Sequence, residues 1–179
     1  MVSDSVTGTT NPHAIPNAFV DYTITVKNNA TFTTTNNTVV VSDATPANLA
    51  MFVGNLNGSS GGPIIFTNGS PTSGLTYSYT SLASLTDTLD FSNNNDTLDF
   101  SNNNGSTWTY VPTANASGVD TNVTNFRIKP TGVMAANGTF SFRVRYQIQW
   151  FIFIKFYVFC LLYFLMEIRY PFSHVTLFF

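Results

Sequence analysis

Cysteine is nearly absent from this chain: the one residue, Cys160, lies inside an apolar C-terminal stretch. Residues 1–149 therefore form no disulfide among themselves and supply no thiolate metal site and no cysteine nucleophile. Charge is scarce too, at 9% of residues with a formal balance of −2. No basic field exists to hold a phosphate backbone, so nucleic acid is not an expected partner. Histidine occurs at His13 and His174 only. Because G-x-S-x-G, H-E-x-x-H, phosphate-loop and paired-cysteine patterns are all missing, a nucleophilic triad would have to rest on His13. A surface-loop histidine is the simpler reading. The aspartates of the first 149 residues fall in expected turns or on exposed strand faces, which disfavours a paired-carboxylate hydrolase. Neither enzymatic activity nor a cofactor is expected. The chain opens "MVSDSVTGTTNP", polar from the start, without the basic and apolar regions of a signal peptide.

What takes the place of charge is Thr, Ser, Asn and Gly, side chains that favour strands and turns and oppose helices. "AFVDYTITVK" puts Val20, Tyr22, Ile24 and Val26 on one face and Asp21, Thr23 and Thr25 on the other, the period of a half-buried strand. "GTFSFRVRYQIQ" repeats it, with Phe140, Phe142, Val144, Tyr146 and Ile148 facing in and Ser141, Arg143, Arg145 and Gln147 facing water. Between them "TVVVSD", "PIIFT", "GLTYSYT", "TLDF", "TWTYV" and "TNFRIK" read as shorter strands. Nothing before residue 150 has a helical period. Asn57-Gly58, Asn68-Gly69, Asn104-Gly105 and Asn137-Gly138 suit the positive φ of tight turns. The pattern implies an all-β fold, an immunoglobulin-like antiparallel β-sandwich over residues 1–149, since a single sheet would leave an apolar face wet. A closed barrel is the runner-up.

The phrase "DTLDFSNNN" occurs twice in succession, at residues 87–95 and 96–104. Either both copies pair as a meander, or one is extruded as a tolerated loop, because closure entropy grows slowly with length. Extrusion of one copy is the expectation. Asp87, Asp90, Asp96 and Asp99 offer hard oxygens for calcium, but at the spacing of neither an EF-hand loop nor a glycine-rich β-roll. A solvated turn is expected instead. The second copy runs into Ser101, Asn103, Gly105, Thr107 and Trp108, spaced S-x-N-x-G-x-T-W. This resembles the Asp-box hairpin of many secreted β-proteins, with Asn103 where Asp is usual. The resemblance implies a structural turn closed by side-chain to backbone bonds, with Gly105 left-handed and Trp108 packed beneath.

The runs "SDSVTGTTNPHAIPNAFVDYTITVKNN", "VVVSDATPANLAMFVG", "FTNGSPTSGLTY", "NNGSTWTYVPTANASGVDTNVTNFRIKPTG" and "FSFRVRYQIQ" together resemble one family. It is the bacterial surface-protein repeat called the conserved repeat domain, or domain of unknown function 11. The resemblance covers about residues 3 to 148 and implies an extracellular β-sandwich, one of several modules in a long adhesin-like protein. Its expected partners are neighbouring domains of that protein. A glycan or a host or neighbour-cell protein, bound on aromatics such as Tyr77, Tyr79 or Tyr110, is the second expectation. Since family members carry a leader and further modules upstream, the sequence is expected to be a fragment. Sequons such as Asn29, Asn68, Asn115 and Asn137 carry little weight in a chain this rich in Asn, Ser and Thr.

Residues 150–179 form an apolar tail of abruptly different composition. "WFIFIKFYVFCLLYFLM", residues 150–166, is at the short end of a membrane span. Its apolar side chains favour insertion by roughly 5 kcal/mol against roughly 3 for Lys155. No basic cluster follows it, and "EIRYPFSHVTLFF" is again apolar. The tail reads first as an aberrant C-terminus, such as out-of-frame translation, and second as a transmembrane helix; a membrane partner follows only from the second. In a soluble product it is an aggregation liability.

Overall fold

A computed structural model of the chain describes residues 1–56, 61–79 and 97–150. The chain divides into two compact units, Met1–Gln149 and Trp150–Phe179. Among the described residues there are eight strands and no helix: β1 (Phe19–Lys27), β2 (Val41–Ala44), β3 (Leu49–Phe52), β4 (Ile64–Asn68), β5 (Leu98–Ser101), β6 (Val119–Asp120), β7 (Asn125–Ile128) and β8 (Thr139–Ile148). All pairings between them are antiparallel. The larger sheet is built on β8. One edge of β8 is taken by β1, from Phe19 opposite Gln147 to Lys27 opposite Thr139. Its other edge is shared by β4, opposite residues 140 to 144, and β3, opposite residues 146 to 148. β3 and β4 thus lie end to end on one line, and β6 closes the far side of β3. The smaller sheet has the order β2-β7-β5.

Alternation decides which side chains meet between the sheets. On β8, Phe140, Phe142, Val144 and Tyr146 are buried, while the interleaved Ser141, Arg143 and Arg145 reach the surface. β7 does the same with Phe126 and Ile128 inward and Asn125 and Arg127 outward. The ring of Phe126 meets Phe142 edge-on at 6.0 Å, joining the two sheets. Phe66 stacks on Phe140 at 5.1 Å, and Met51, Ile64, Leu98, Phe100 and Val123 complete the same core. The result is a sandwich-like pair of antiparallel layers, the arrangement in which each sheet hides its apolar face on the other.

Four features depart from the alternation pattern. Gln147, expected in water, is buried, because Phe19 and Phe52 flank β8 and bring their rings together across it at 6.2 Å. Ile148 is correspondingly only half-buried. Tyr22, expected in the core, is 44% exposed because β1 is an edge strand and the ring has neighbours on one side only, Tyr146 among them at 5.7 Å. "TWTYV" and "GLTYSYT" contribute isolated bridges rather than strands: Tyr110 pairs with Phe100, and Thr76 with Thr131. β3 and β6, by contrast, arise from stretches with no alternation to announce them.

The second copy of the repeated phrase forms β5. The first copy lies outside the described residues, as do Asn57-Gly58 and residues 151–179.

Candidate functional site

The hairpin after β5 is closed by its own side chains. Ser101 Oγ accepts from the Asn103 and Gly105 amides at 3.2 and 3.0 Å and donates to Asn103 Oδ1 at 2.8 Å. Asn103 Oδ1 also accepts from the Thr107 amide at 2.9 Å, and Asn103 Nδ2 donates to Thr107 Oγ1 at 2.9 Å. Gly105 has φ +77°, and a Cβ there would stand 3.3 Å from the Trp108 ring. The five residues therefore converge on a turn, with the indole against its glycine. Each side-chain polar atom of Ser101 and Asn103 has a backbone or hydroxyl partner within the turn.

Beside that turn lies a cluster that local patterning did not indicate. Register places Asp99 of β5 opposite Arg127 of β7 on the outer face of the smaller sheet. Arg127 Nε donates to Asp99 Oδ2 at 2.6 Å, and Lys129 Nζ approaches the same oxygen at 2.8 Å. The Arg127 guanidinium also sits 4.6 Å from the centre of the Trp108 ring, a cation–π distance. Trp108 is half-buried, with the Arg127 guanidinium over its ring. Asp99 is consequently committed to Arg127 and Lys129. Asp87, Asp90 and Asp96, the other calcium candidates, lie outside the described residues. Among the described residues no three His, Cys, Asp or Glu side chains are grouped to hold a metal ion.

The three tyrosines expected as an exposed platform do not make one. Tyr77 packs on the core and stacks with Phe66 at 5.8 Å. Tyr79 packs against the core and over Gly62, where a Cβ would come within 2.5 Å of its ring. The Tyr110 hydroxyl donates to Asp120 Oδ2 at 2.8 Å. All three are half-buried and packed against the core. Asp120 is itself buried, accepting also from the Thr113 and Asn122 amides at 2.7 and 2.8 Å. Burial raises the pKa of the Tyr110 hydroxyl, and its bond to Asp120 raises it further.

The N-terminal segment is tied down by Asp4. Its carboxylate accepts from the amides of His13, Thr7 and Val6 and from Thr7 Oγ1, and Oδ2 lies 3.2 Å from His13 Nδ1. His13 is exposed, as a surface-loop histidine would be. The His13 amide foremost, with those of Thr7 and Val6, holds the Asp4 carboxyl well below the usual carboxylate range. A lowered folded pKa stabilises the fold above the unfolded value near 4, and that contribution fades as pH falls below it toward the folded pKa. Amide exchange at Val6, Thr7 and His13 is therefore expected to accelerate, relative to its intrinsic rate, between about pH 4 and pH 2. Asp4→Asn should raise it roughly tenfold at pH 7 and flatten the acid response. Unchanged protection in the variant would show that the carboxylate does not hold this segment.

Among the described residues, no helix is long and apolar enough to cross a membrane. No family model, no curated protein and no solved structure matches the chain.

Proposed function

We propose that residues 1–149 are a non-catalytic, immunoglobulin-like module of a bacterial cell-surface or secreted adhesin-like protein, a spacer that presents neighbouring domains. The observation that carries this reading is the use of the polar side chains. Ser101 and Asn103 close a turn, Asp120 secures the loop after Tyr110, Asp4 anchors the N-terminal segment, and Asp21 and Asp99 are bound to arginines across strands. Groups with such partners are positioned for stability and not for turnover. The resemblance of residues 3 to 148 to the conserved repeat domain supports the same reading.

Trp108 and Arg127 favour a second reading, a binding module for a glycan or a partner protein, since an indole beside a guanidinium fixed by Asp99 suits a sugar ring or a polar chain. A glycan array probed with residues 1–149 separates the two. Silence across the array is the spacer outcome, whereas signal lost in Trp108→Ala with unchanged circular dichroism would replace it with the binding reading. Membrane attachment through residues 150–166 is a separate proposal. Fractionation of the full chain against a version ending at Gln149 tests it: sedimentation of both with membranes, or of neither, removes it.

A further inference from the structure

The outer face of the smaller sheet carries donors that none of the described residues uses. Arg127 bonds Asp99 through Nε alone, so both of its Nη groups have no hydrogen-bond partner among the described residues. The Trp108 indole N–H and the Asn125 side-chain amide have none either. All of these nitrogens reach solvent. They also share one place. The guanidinium lies 4.6 Å from the centre of the Trp108 ring. A Cβ on Gly105 would stand 3.3 Å from that ring and 3.8 Å from the Asn125 amide, so indole and amide border the same gap. Asn125 and Arg127 are alternate residues of β7 and point the same way. Register sets Ala44 and Ser42 of β2 beside them, and these short side chains leave a low shelf on that flank.

Charge on this shelf is layered. The Asp99 side chain is 9% exposed, whereas those of Arg127 and Lys129 are 27% and 39% exposed, and both cations are held at Asp99 Oδ2. The carboxylate is thus recessed beneath two cations and sets their positions, while the surface that solvent meets is positive. A guanidinium with both Nη groups free matches a planar carboxylate, which it grips with two parallel bonds. The indole beside it suits the apolar C–H face of a sugar ring, and the Asn125 amide, donor and acceptor in one group, suits adjacent hydroxyls. A sugar acid presents all three chemistries in one unit. An acidic peptide has the carboxylate but no hydroxyl-bearing ring to set beside Trp108 and Asn125.

We propose that this shelf binds a glycan whose sugar ring bears a carboxylate, with the carboxylate on Arg127 and Lys129 and the ring beside Trp108 and Asn125. The inference rests on the binding reading above and narrows it to acidic sugars. Because the chain carries a net charge of −2, no long-range field draws an anion in; the attraction acts at contact and the affinity is modest.

The test titrates the full chain, in mild detergent, with oligosaccharides of galacturonate, glucuronate and sialate, each against the same oligosaccharide with its carboxylates reduced to alcohols. Binding is read from the Trp108 indole N–H resonance, identified by its absence in Trp108→Phe. At least one acidic probe is expected to shift that resonance to saturation, and its reduced form to bind at least about tenfold more weakly. Arg127→Gln should weaken the acidic probe by a similar factor. Lys129→Gln, which leaves the Arg127–Asp99 bond in place, should weaken it too and leave the reduced probe unaffected. On the larger sheet Asp21 is recessed in the same way beside Arg143 and Arg145, with Phe19 where the indole would be. Arg143→Gln removes the same charge there and should change nothing. Equal binding of acidic and reduced probes would overturn the inference and leave the glycan reading standing. Binding of neither would overturn it as well, and the glycan array then decides the wider reading. A loss in Arg143→Gln as large as in Arg127→Gln, or polyglutamate binding as tightly as the acidic sugars, would also end it.

Discussion

Phe142→Ala is expected to cost residues 1–149 a large share of their stability. The ring is fully buried. It sits on β8, which is held on both edges, between Ile24 of β1 and Phe66 of β4, and it touches the opposite sheet through Phe126. Neighbours fixed by two ladders cannot collapse into the space, so the substitution loses both the transfer energy of the ring and the contacts around the cavity. Such changes cost roughly 3–5 kcal/mol against a total stability of roughly 5–15 for a domain of ordinary stability. The midpoint of thermal unfolding should fall by about 10–15 °C. Urea unfolding followed by far-ultraviolet circular dichroism measures the loss, with an unchanged slope expected if the transition stays two-state. Phe32→Ala is the control: that ring is 72% exposed, and its removal should stay within about 0.5 kcal/mol. A loss at Phe142 no larger than at Phe32 would mean that the two sheets do not pack through this ring.

Asp120→Ala is expected to have the second-largest effect. The carboxylate is 3% exposed and is bonded by the Tyr110 hydroxyl and the amides of Thr113 and Asn122. Alanine strips all three donors of their acceptor in a place where water has little access. Each orphaned group costs about 1–3 kcal/mol, partly recovered as the loop opens, so a net loss of roughly 2–4 kcal/mol follows. Asp120→Asn retains one acceptor oxygen and should lose less. A second readout separates this account from a general loosening. Because the bond to Asp120 helps to raise the Tyr110 pKa, its removal should shift that tyrosine's ionisation to lower pH. A Tyr110 titration unmoved in the alanine variant would show that the two groups are not coupled.

How much of this was legible in the residues varies by element. β8 and β1 could be read directly, because long runs of alternation, over Thr139–Ile148 and from Val20 to Lys27, admit few other structures. β7 showed the same pattern in shorter form. β3, with Ala50 and Met51 both buried, could not be read that way: its outer face is covered by Phe19 and Phe52, so both of its sides are apolar and no period survives. "TWTYV" alternates well yet only bridges, since the turn closed by Ser101 and Asn103 leaves Tyr110 as its single pairing point with Phe100. Tyr77, Tyr79 and Tyr110 were expected as a binding platform; their contacts with Phe66, Gly62 and Asp120 bring together residues at least ten apart in sequence.

The candidate cluster shows the same division. Ser101, Asn103, Gly105, Thr107 and Trp108 are close in sequence, and their bonds span four residues at most. Spacing was therefore enough to bring them together. Arg127 reaches Asp99 and Trp108 only because β5 and β7 are neighbours in one register.

Local order thus determined which side chains turn inward and where the chain reverses, because backbone pleating and turn geometry act over a few residues. Which strands lie side by side, which edge stays open and which charges meet was decided by the tertiary structure. Asp21 and Arg145 are 124 residues apart, and their two hydrogen bonds depend on the order and register of whole sheets, settled by how the apolar faces fit and not by either residue's neighbours.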